Sequence, residues 1–433
     1  MAPDKVTSTD MGYIFEELIR KFSESYDEQA GAHFTARDII YLMAELLIHP
    51  DREEIAKNGC TKTAYDMAMG TSQMLGCLKE RLESINDNIN LSCFGQEQNS
   101  ETYAIAKADM LIKGGNSNGM KLGDTLSDDK FEDYEFDYII SNPPFGIDWK
   151  KEKEAIEQEY KSGYDKRFGP GLPAISDSQM LFTLNGIKKL KFGSGRMAII
   201  QNGSSLFTGD AGSGPSEIRK YILENDLLEA IIQLPNNLFY NTGITTYIWL
   251  ISKNKNPIRK GKTQLIDASN CFIKRRKSIG NKRNDLDEKC IKLIMKAYDA
   301  FEDNTFSDED LIVKTKVFDN KYFGYSKITI ERPSYDENGK IITKKNKPVA
   351  DSKLRDYENI PLKENIDEYF KREVLPYVPD SWVDKTKTKI GYEIPMTRYF
   401  YEYQAPEPVE DIVNRIHNLE ADIKKSLETI FEG

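Results

Sequence analysis

Asn142 stands in the segment Ser141-Asn142-Pro143-Pro144-Phe145-Gly146, directly after the apolar run 136–140. Two adjacent prolines end strand pairing and set a rigid turn, so Asn142 and Phe145 should be held at the end of a strand. An exocyclic amine on a nucleobase is a poor nucleophile because its lone pair is delocalised into the ring. Two acceptors on its N–H bonds would help to pyramidalise the nitrogen. The Asn142 side-chain carbonyl and the Pro143 main-chain carbonyl are candidates, with Pro144 stiffening the turn and Phe145 offering a flat face for a flipped-out base.

Three further loops carry groups suited to a nucleoside ligand. In Asp66-Met67-Ala68-Met69-Gly70-Thr71-Ser72, a strand end runs into a helix, where a glycine permits close backbone approach and the helix start can meet a carboxylate. Gly95-Gln96-Glu97 places an acid at the next strand end, suited to ribose hydroxyls. Gly123-Asp124 offers a second acceptor, suited to an adenine amino group. Taken singly, each loop also reads as an ordinary strand-end turn; their order is what makes a pocket.

These loops need a scaffold, and the pattern supplies one. From residue 56 the chain alternates apolar β-rich runs (63–66, 91–96, 120–123, 136–141, 197–201, 228–234) with helical stretches (72–85, 100–113, 177–191, 215–225). Such alternation predicts an α/β fold, a mostly parallel doubly wound sheet whose carboxyl edge carries the ligand loops. The run 245–252 is expected to pair as an antiparallel hairpin strand. Ahead of the sheet, two helices are expected, one with Ile14, Leu18, Ile19 and Phe22 on a face, the other with Ile39, Ile40, Met43, Leu46 and Leu47.

After residue 253 the texture turns charged, which suggests an appendage outside the sheet, and 332–387 suggests extended or loosely ordered chain. The last residues reverse this, with Ile412, Ile416, Leu419, Ile423, Leu427 and Ile430 spaced as one face of a helix. The expected division is 1–55 (helical segment), 56–255 (Rossmann-like catalytic domain), 256–405 (charged extension) and 406–433 (docking helix).

Composition narrows the chemistry. Five cysteines without a CxxC pair and three histidines in 433 residues favour neither a disulfide framework nor a metal site. No long apolar run or leader pattern is present, so a cytoplasmic address is expected. With a net charge of -10, the chain cannot hold DNA by overall charge. The one dense basic cluster is Lys274, Arg275, Arg276, Lys277, Lys282 and Arg283.

Together these segments resemble the modification (M) subunits of type I restriction-modification systems, among the N6-adenine DNA methyltransferases of the γ arrangement. The likeness extends through Leu172-Pro173-Ala174-Ile175-Ser176-Asp177, Gly195-Arg196-Met197-Ala198, Phe239-Tyr240-Asn241-Thr242-Gly243-Ile244 and Arg276-Lys277-Ser278-Ile279-Gly280-Asn281-Lys282-Arg283. It implies S-adenosyl-L-methionine as cofactor, contacted by Ala32, His33, Phe34, Thr35, Ala36, Arg37, Asp66, Gly70, Thr71, Ser72, Glu97 and Asp124. It implies Asn142, Pro143, Pro144 and Phe145 as the catalytic turn acting on a target adenine, without a metal.

Expected partners are double-stranded DNA, contacted by the basic cluster, a specificity subunit on the C-terminal helix, and a restriction subunit. Two segments differ from the family pattern: its Asp-Pro-x-x-Gly-x-Gly loop reads Asp66-Met67-Ala68-Met69-Gly70-Thr71-Ser72 here, and its Phe-Thr-Pro reads Phe34-Thr35-Ala36. The family's usual N-terminal helical domain does not precede this sequence, which suggests a fragment or short variant. Two other readings remain: a methyltransferase for protein glutamine amides, and a noncatalytic scaffold subunit.

Overall fold

In the computed structural model, which describes residues 35–112, 115–240, 242–401, 403 and 407–431, the alternation becomes a ten-stranded sheet. Its strands are β1 (Thr61–Asp66), β2 (Asn90–Glu97), β3 (Met120–Leu122), β4 (Tyr138–Ser141), β5 (Arg196–Asn202), β6 (Leu228–Gln233), β7 (Thr246–Ser252) and β8 (Lys262–Asn270). A hairpin of β9 (Ile273–Ile279) and β10 (Lys282–Asp285) follows, and β11 (Asn304–Asp308) and β12 (Leu311–Asp319) complete the sheet. The order is β11-β12-β8-β6-β7-β5-β4-β1-β2-β3.

Strands β1 to β5 run parallel to their neighbours within the set, and β7 lies antiparallel between β5 and β6. The expected hairpin partnership of β6 and β7 is therefore present. Every residue of β4 and of β7 is buried, as sheets covered on both faces require. Helix Arg37–Ile48 buries Ile39, Ile40, Leu42, Met43, Leu46, Leu47 and Ile48 against helix Gln73–Glu83 and strands β4, β5 and β7. At roughly 1.5–3 kcal/mol per large apolar side chain, this face anchors the helix. The earlier helix expected around Ile14 to Phe22 lies outside the described residues.

Two expectations are corrected. The sheet does not end near residue 252, because β8 pairs parallel with β6, and β12 and β11 extend it further. The polar residues that made this stretch look superficial are an internal hydrogen-bonded layer. Gln264 Nε2 donates to Thr315 Oγ1 (2.9 Å) and to the Ala297 carbonyl (2.8 Å), and Thr263 Oγ1 donates to the Leu228 carbonyl (3.1 Å).

Nor is the chain from 332 to 387 loosely ordered throughout. Strand β13 (Gly324–Glu331) pairs with Asp356–Pro361, Trp382–Val383 and Lys389–Tyr392 over a core of Ile328, Ile330, Ile360, Phe370 and Val374. Arg219 ties this small sheet to the turn that follows β5. It is fully buried and donates to the carbonyls of Tyr392 (2.6 Å), Ser205 (3.0 Å) and Thr208 (2.9 Å).

The described residues fall into two units divided after Pro395. The second contains helix Val409–Phe431, as the spacing predicted, with Ile416, Leu419 and Ile423 exposed. Among the described residues no helix is long and apolar enough to cross a membrane.

Candidate active site

The parallel register of β1, β2, β3 and β4 brings their carboxyl ends side by side: Asp66 opposite Gly95, Gly95 opposite Met120, and Tyr65 opposite Ile139. That alignment turns residues as far apart as Asp66 and Ser141, 75 positions distant in sequence, into one edge. Ser141, the last residue of β4, donates from Oγ to Asp66 Oδ1 at 2.7 Å, so the first ligand loop and the Pro-Pro turn are bonded directly.

Asp66 is fully buried, and its Oδ1 also takes the Ala68 N–H at 3.1 Å. Its Oδ2 has no hydrogen-bond partner among the described residues. Burial, with a smaller push from Glu97, raises its pKa from 3.8 to about 7. The folded chain thus retains a proton that the unfolded chain has released, so stability is fullest below pH 3.8 and falls as pH rises towards 7. Asp66→Asn should remove that slope. In urea unfolding at pH 4.5 and pH 7.5, the stability gap between variant and wild type is expected to shift towards the variant by on the order of 3 kcal/mol. An unchanged gap would mean that Asp66 is ionised throughout.

Gly70 and Ser72 lie in the left-handed region at φ 53° and 70°. The second is costly for a residue with a Cβ, so Ser72 keeps the backbone shape that a glycine would adopt there. Ser72 Oγ is buried, makes no cap bond to helix Gln73–Glu83, and has no partner among the described residues. Beneath it the loop packs tightly, since a Cβ on Gly95 would lie 2.4 Å from Met69 Sδ.

Glu97 Oε2 accepts from the Gly70 N–H (3.0 Å) and Oε1 from the Asn99 N–H (2.9 Å). Burial pushes its pKa up, while these N–H groups pull it down. Asp124 Oδ1 accepts from the N–H groups of Leu126 and Ser127, closing the turn after β3. The edge therefore presents three carboxyl groups, and Thr71 lies half-buried between them in sequence.

Asn142 is 4% exposed. Its Nδ2 donates to Thr35 Oγ1 at 2.8 Å, while Oδ1 has no partner among the described residues. Pro143 is buried, Pro144 half-buried, and Phe145 half-buried against the main core. The chain beyond the turn is strapped down: the Ser178 N–H donates to the Ile147 carbonyl and the Trp149 N–H to the Ile175 carbonyl, both at 3.0 Å. The strap ends in a polar cluster that residue reading alone did not single out. Asp177 Oδ2 accepts from Gln179 Nε2 (2.6 Å) and Ser204 Oγ (2.8 Å), and Gln179 Nε2 also donates to Asn202 Oδ1 (2.9 Å) at the end of β5. Only the segment ending at Asp177 carried a signal for it.

Of the residues expected before the sheet, Ala32, His33 and Phe34 lie outside the described residues. Thr35 and Ala36 are buried at the start of helix Arg37–Ile48. The Arg37 guanidinium is held by Glu80 (3.0 Å) and Tyr41 (2.7 Å), an ion pair between helices.

The basic cluster lies on the β9–β10 hairpin. Because β8 is parallel to β6, the hairpin emerges at the edge that carries the turn. Its backbone is bonded to the loop after β6: the Asn281 N–H donates to the Tyr240 carbonyl and the Arg283 N–H to the Asn237 carbonyl. Lys274, Arg276, Lys277 and Arg283 are exposed. Arg275 is half-buried and paired with Asp285 at 2.7 Å. Lys282 is removed from the expected surface set: it is 2% exposed and bonded to Asp38 at 2.8 Å and Asp285 at 3.1 Å. Asp38 also accepts the Leu286 N–H, so the segment that places Thr35 beside Asn142 anchors the hairpin three residues later.

Among the described residues no group of three or more His, Cys, Asp or Glu side chains could hold a metal ion. All five cysteines are free thiols.

Known proteins resemble this arrangement. The chain is 29% identical over 336 residues to the type I restriction enzyme MjaIX methylase subunit of Methanocaldococcus jannaschii, covering 77% of this chain and 54% of that one. A type I restriction-modification methyltransferase subunit from Streptococcus thermophilus superposes with a TM-score of 0.58 at 26% identity, over 73% of this chain and 62% of the other. A chain from a type I restriction-modification assembly shares the fold over 98% of this chain and 72% of its own, with a TM-score of 0.51 at 15% identity. The chain spans about half the length of the curated relatives it matches. With residues 7–324 matching its sequence pattern, the chain belongs to the N-6 DNA methylase family.

Proposed function

We propose that the chain is a modification subunit that transfers the methyl group of S-adenosyl-L-methionine to N6 of an adenine in duplex DNA. One observation carries the reading: the buried Asn142 Oδ1, lacking a protein partner, stands at a rigid turn bonded through Ser141 to the carboxylate edge.

The residues present fit the cofactor. Glu97 and Asp124, with the unpartnered Ser72 Oγ, form an acceptor-rich edge suited to a cationic nucleoside, whose charge would favour the ionised form of Asp66 and free its Oδ2 as a further acceptor. Glu97 would hold the ribose, Asp124 the adenine amino group, and the start of helix Gln73–Glu83 the carboxylate. When bound, the cofactor supplies an electrophilic sulfonium methyl. Asn142 Oδ1 and the Pro143 carbonyl would accept the two N–H bonds of the extruded base, and Phe145 would stack on it. The work of this chain is positioning, without a metal.

The exposed cations of the β9–β10 hairpin would contact phosphates, the exposed apolar stripe of helix Val409–Phe431 would dock on a specificity subunit, and a restriction subunit would join in the full cytoplasmic complex. The test is transfer of labelled methyl to duplex DNA by the chain with its specificity partner, with adenine N6 mapped as the acceptor. Label appearing in protein and not in DNA would overturn the reading. Arg276→Ala and Lys277→Ala should each lower the slope of log affinity against log salt by about 0.9, uniformly across duplex sequences. Lys282→Ala should instead lower the melting temperature and leave that slope nearly intact.

A further inference from the structure

We infer that Thr35 is a positioning residue that holds the Asn142 amide in place with its oxygen left for the target base. The inference rests on the functional reading above and goes beyond it. A side-chain amide turns about its last bond unless a buried partner holds it, and a threonine hydroxyl that accepts from its nitrogen is such a partner. Here Nδ2 is bonded to Thr35 Oγ1 at 2.8 Å, across 107 positions of sequence, and both side chains are 4% exposed. The oxygen is left as the buried acceptor. Turned the other way, the amide would set its own N–H donors against the N–H donors of the base amine, and acceptance would be lost.

Thr35 is itself placed by the same short segment that anchors the hairpin, because Asp38 accepts from Lys282 Nζ and from the Leu286 N–H. The orientation of the amide is thus tied to the element that carries the exposed cations.

The test compares Thr35→Val, which keeps the shape and removes the hydroxyl, with Thr35→Ser, which keeps it. In the valine variant kcat should fall by about 10-fold or more, the loss expected when a buried amide is left without its partner. KM for DNA should stay near wild type, any weakening of the cofactor Kd should be smaller than the fall in kcat, since Thr35 lies in the segment expected to touch the cofactor, and serine should restore kcat.

A second readout is independent of catalysis. In protein labelled with 15N-asparagine, the Asn142 side-chain amide, identified by its absence from Asn142→Ala, should exchange slowly in wild type and Thr35→Ser and rapidly in Thr35→Val. Wild-type turnover and exchange in the valine variant would overturn the inference, as would a cofactor affinity that falls by the same factor as kcat. Slow exchange in a wild-type chain that methylates no duplex would instead overturn the functional reading and leave the Thr35–Asn142 contact standing.

Discussion

Asn142→Ala should reduce methyl transfer to DNA by at least about 100-fold, the usual scale for removing one preorganised hydrogen-bonding group from a reaction centre. The cofactor Kd should stay within about twofold, because Asn142 is separated from the carboxylate edge by Ser141, which keeps its own bond to Asp66. The distinguishing measurement is paired: initial rates with labelled cofactor and a cognate duplex, and calorimetric titration of the cofactor alone. An alanine variant with wild-type turnover would show that the orphaned Oδ1 has no chemical role. One that loses cofactor binding instead would move Asn142 into the nucleoside pocket.

Arg196→Met is expected to destabilise the fold by about 3–5 kcal/mol, the range for stranding one member of a buried ion pair. Arg196 is 3% exposed and bonded to the fully buried Glu229 at 2.8 Å, with Arg259 at 3.8 Å and Tyr298 completing the group. Burial alone would push the Glu229 carboxyl up, but Arg196 and its neighbours more than offset that and hold it below its ordinary value. Removing Arg196 leaves an ionised carboxylate in the core without its nearest guanidinium. For a protein with a total stability of about 5–15 kcal/mol, that is a large fraction.

The same arginine donates to the carbonyls of Leu46 (3.3 Å) and Leu47 (3.1 Å), closing the end of the helix that begins beside Thr35. Loss of stability should therefore come with looser placement of Thr35. Denaturant melts of Arg196→Met and of Arg196→Met/Glu229→Leu separate the causes. The double variant should recover much of the loss if the stranded charge is responsible. A single variant that loses under about 1 kcal/mol would show that the network contributes little.

Much of this protein was legible in its residues. The strand and helix alternation from 61 to 252, the burial of the Ile39 to Leu47 face and the C-terminal helix follow from hydrophobic spacing alone, because burial selects the same periodicities that pattern reading detects. The turn at Asn142 is legible for a related reason: two prolines restrict the backbone whatever surrounds them.

Other features depend on partners far away in sequence. Gln264 and Thr263 stand in the stretch expected to lie outside the sheet until Thr315, Ala297 and Leu228 supply their hydrogen bonds. Lys282 reads as a phosphate contact until Asp38, 244 positions away, takes its charge. The orientation of Asn142 is invisible until Thr35 arrives beside it. Local spacing thus determined which elements form and which chemistry the turn offers. Only the tertiary structure decided which polar groups are committed inside and which, like Asn142 Oδ1, are left for a ligand, because a hydrogen bond is a property of two atoms and the sequence presents them singly.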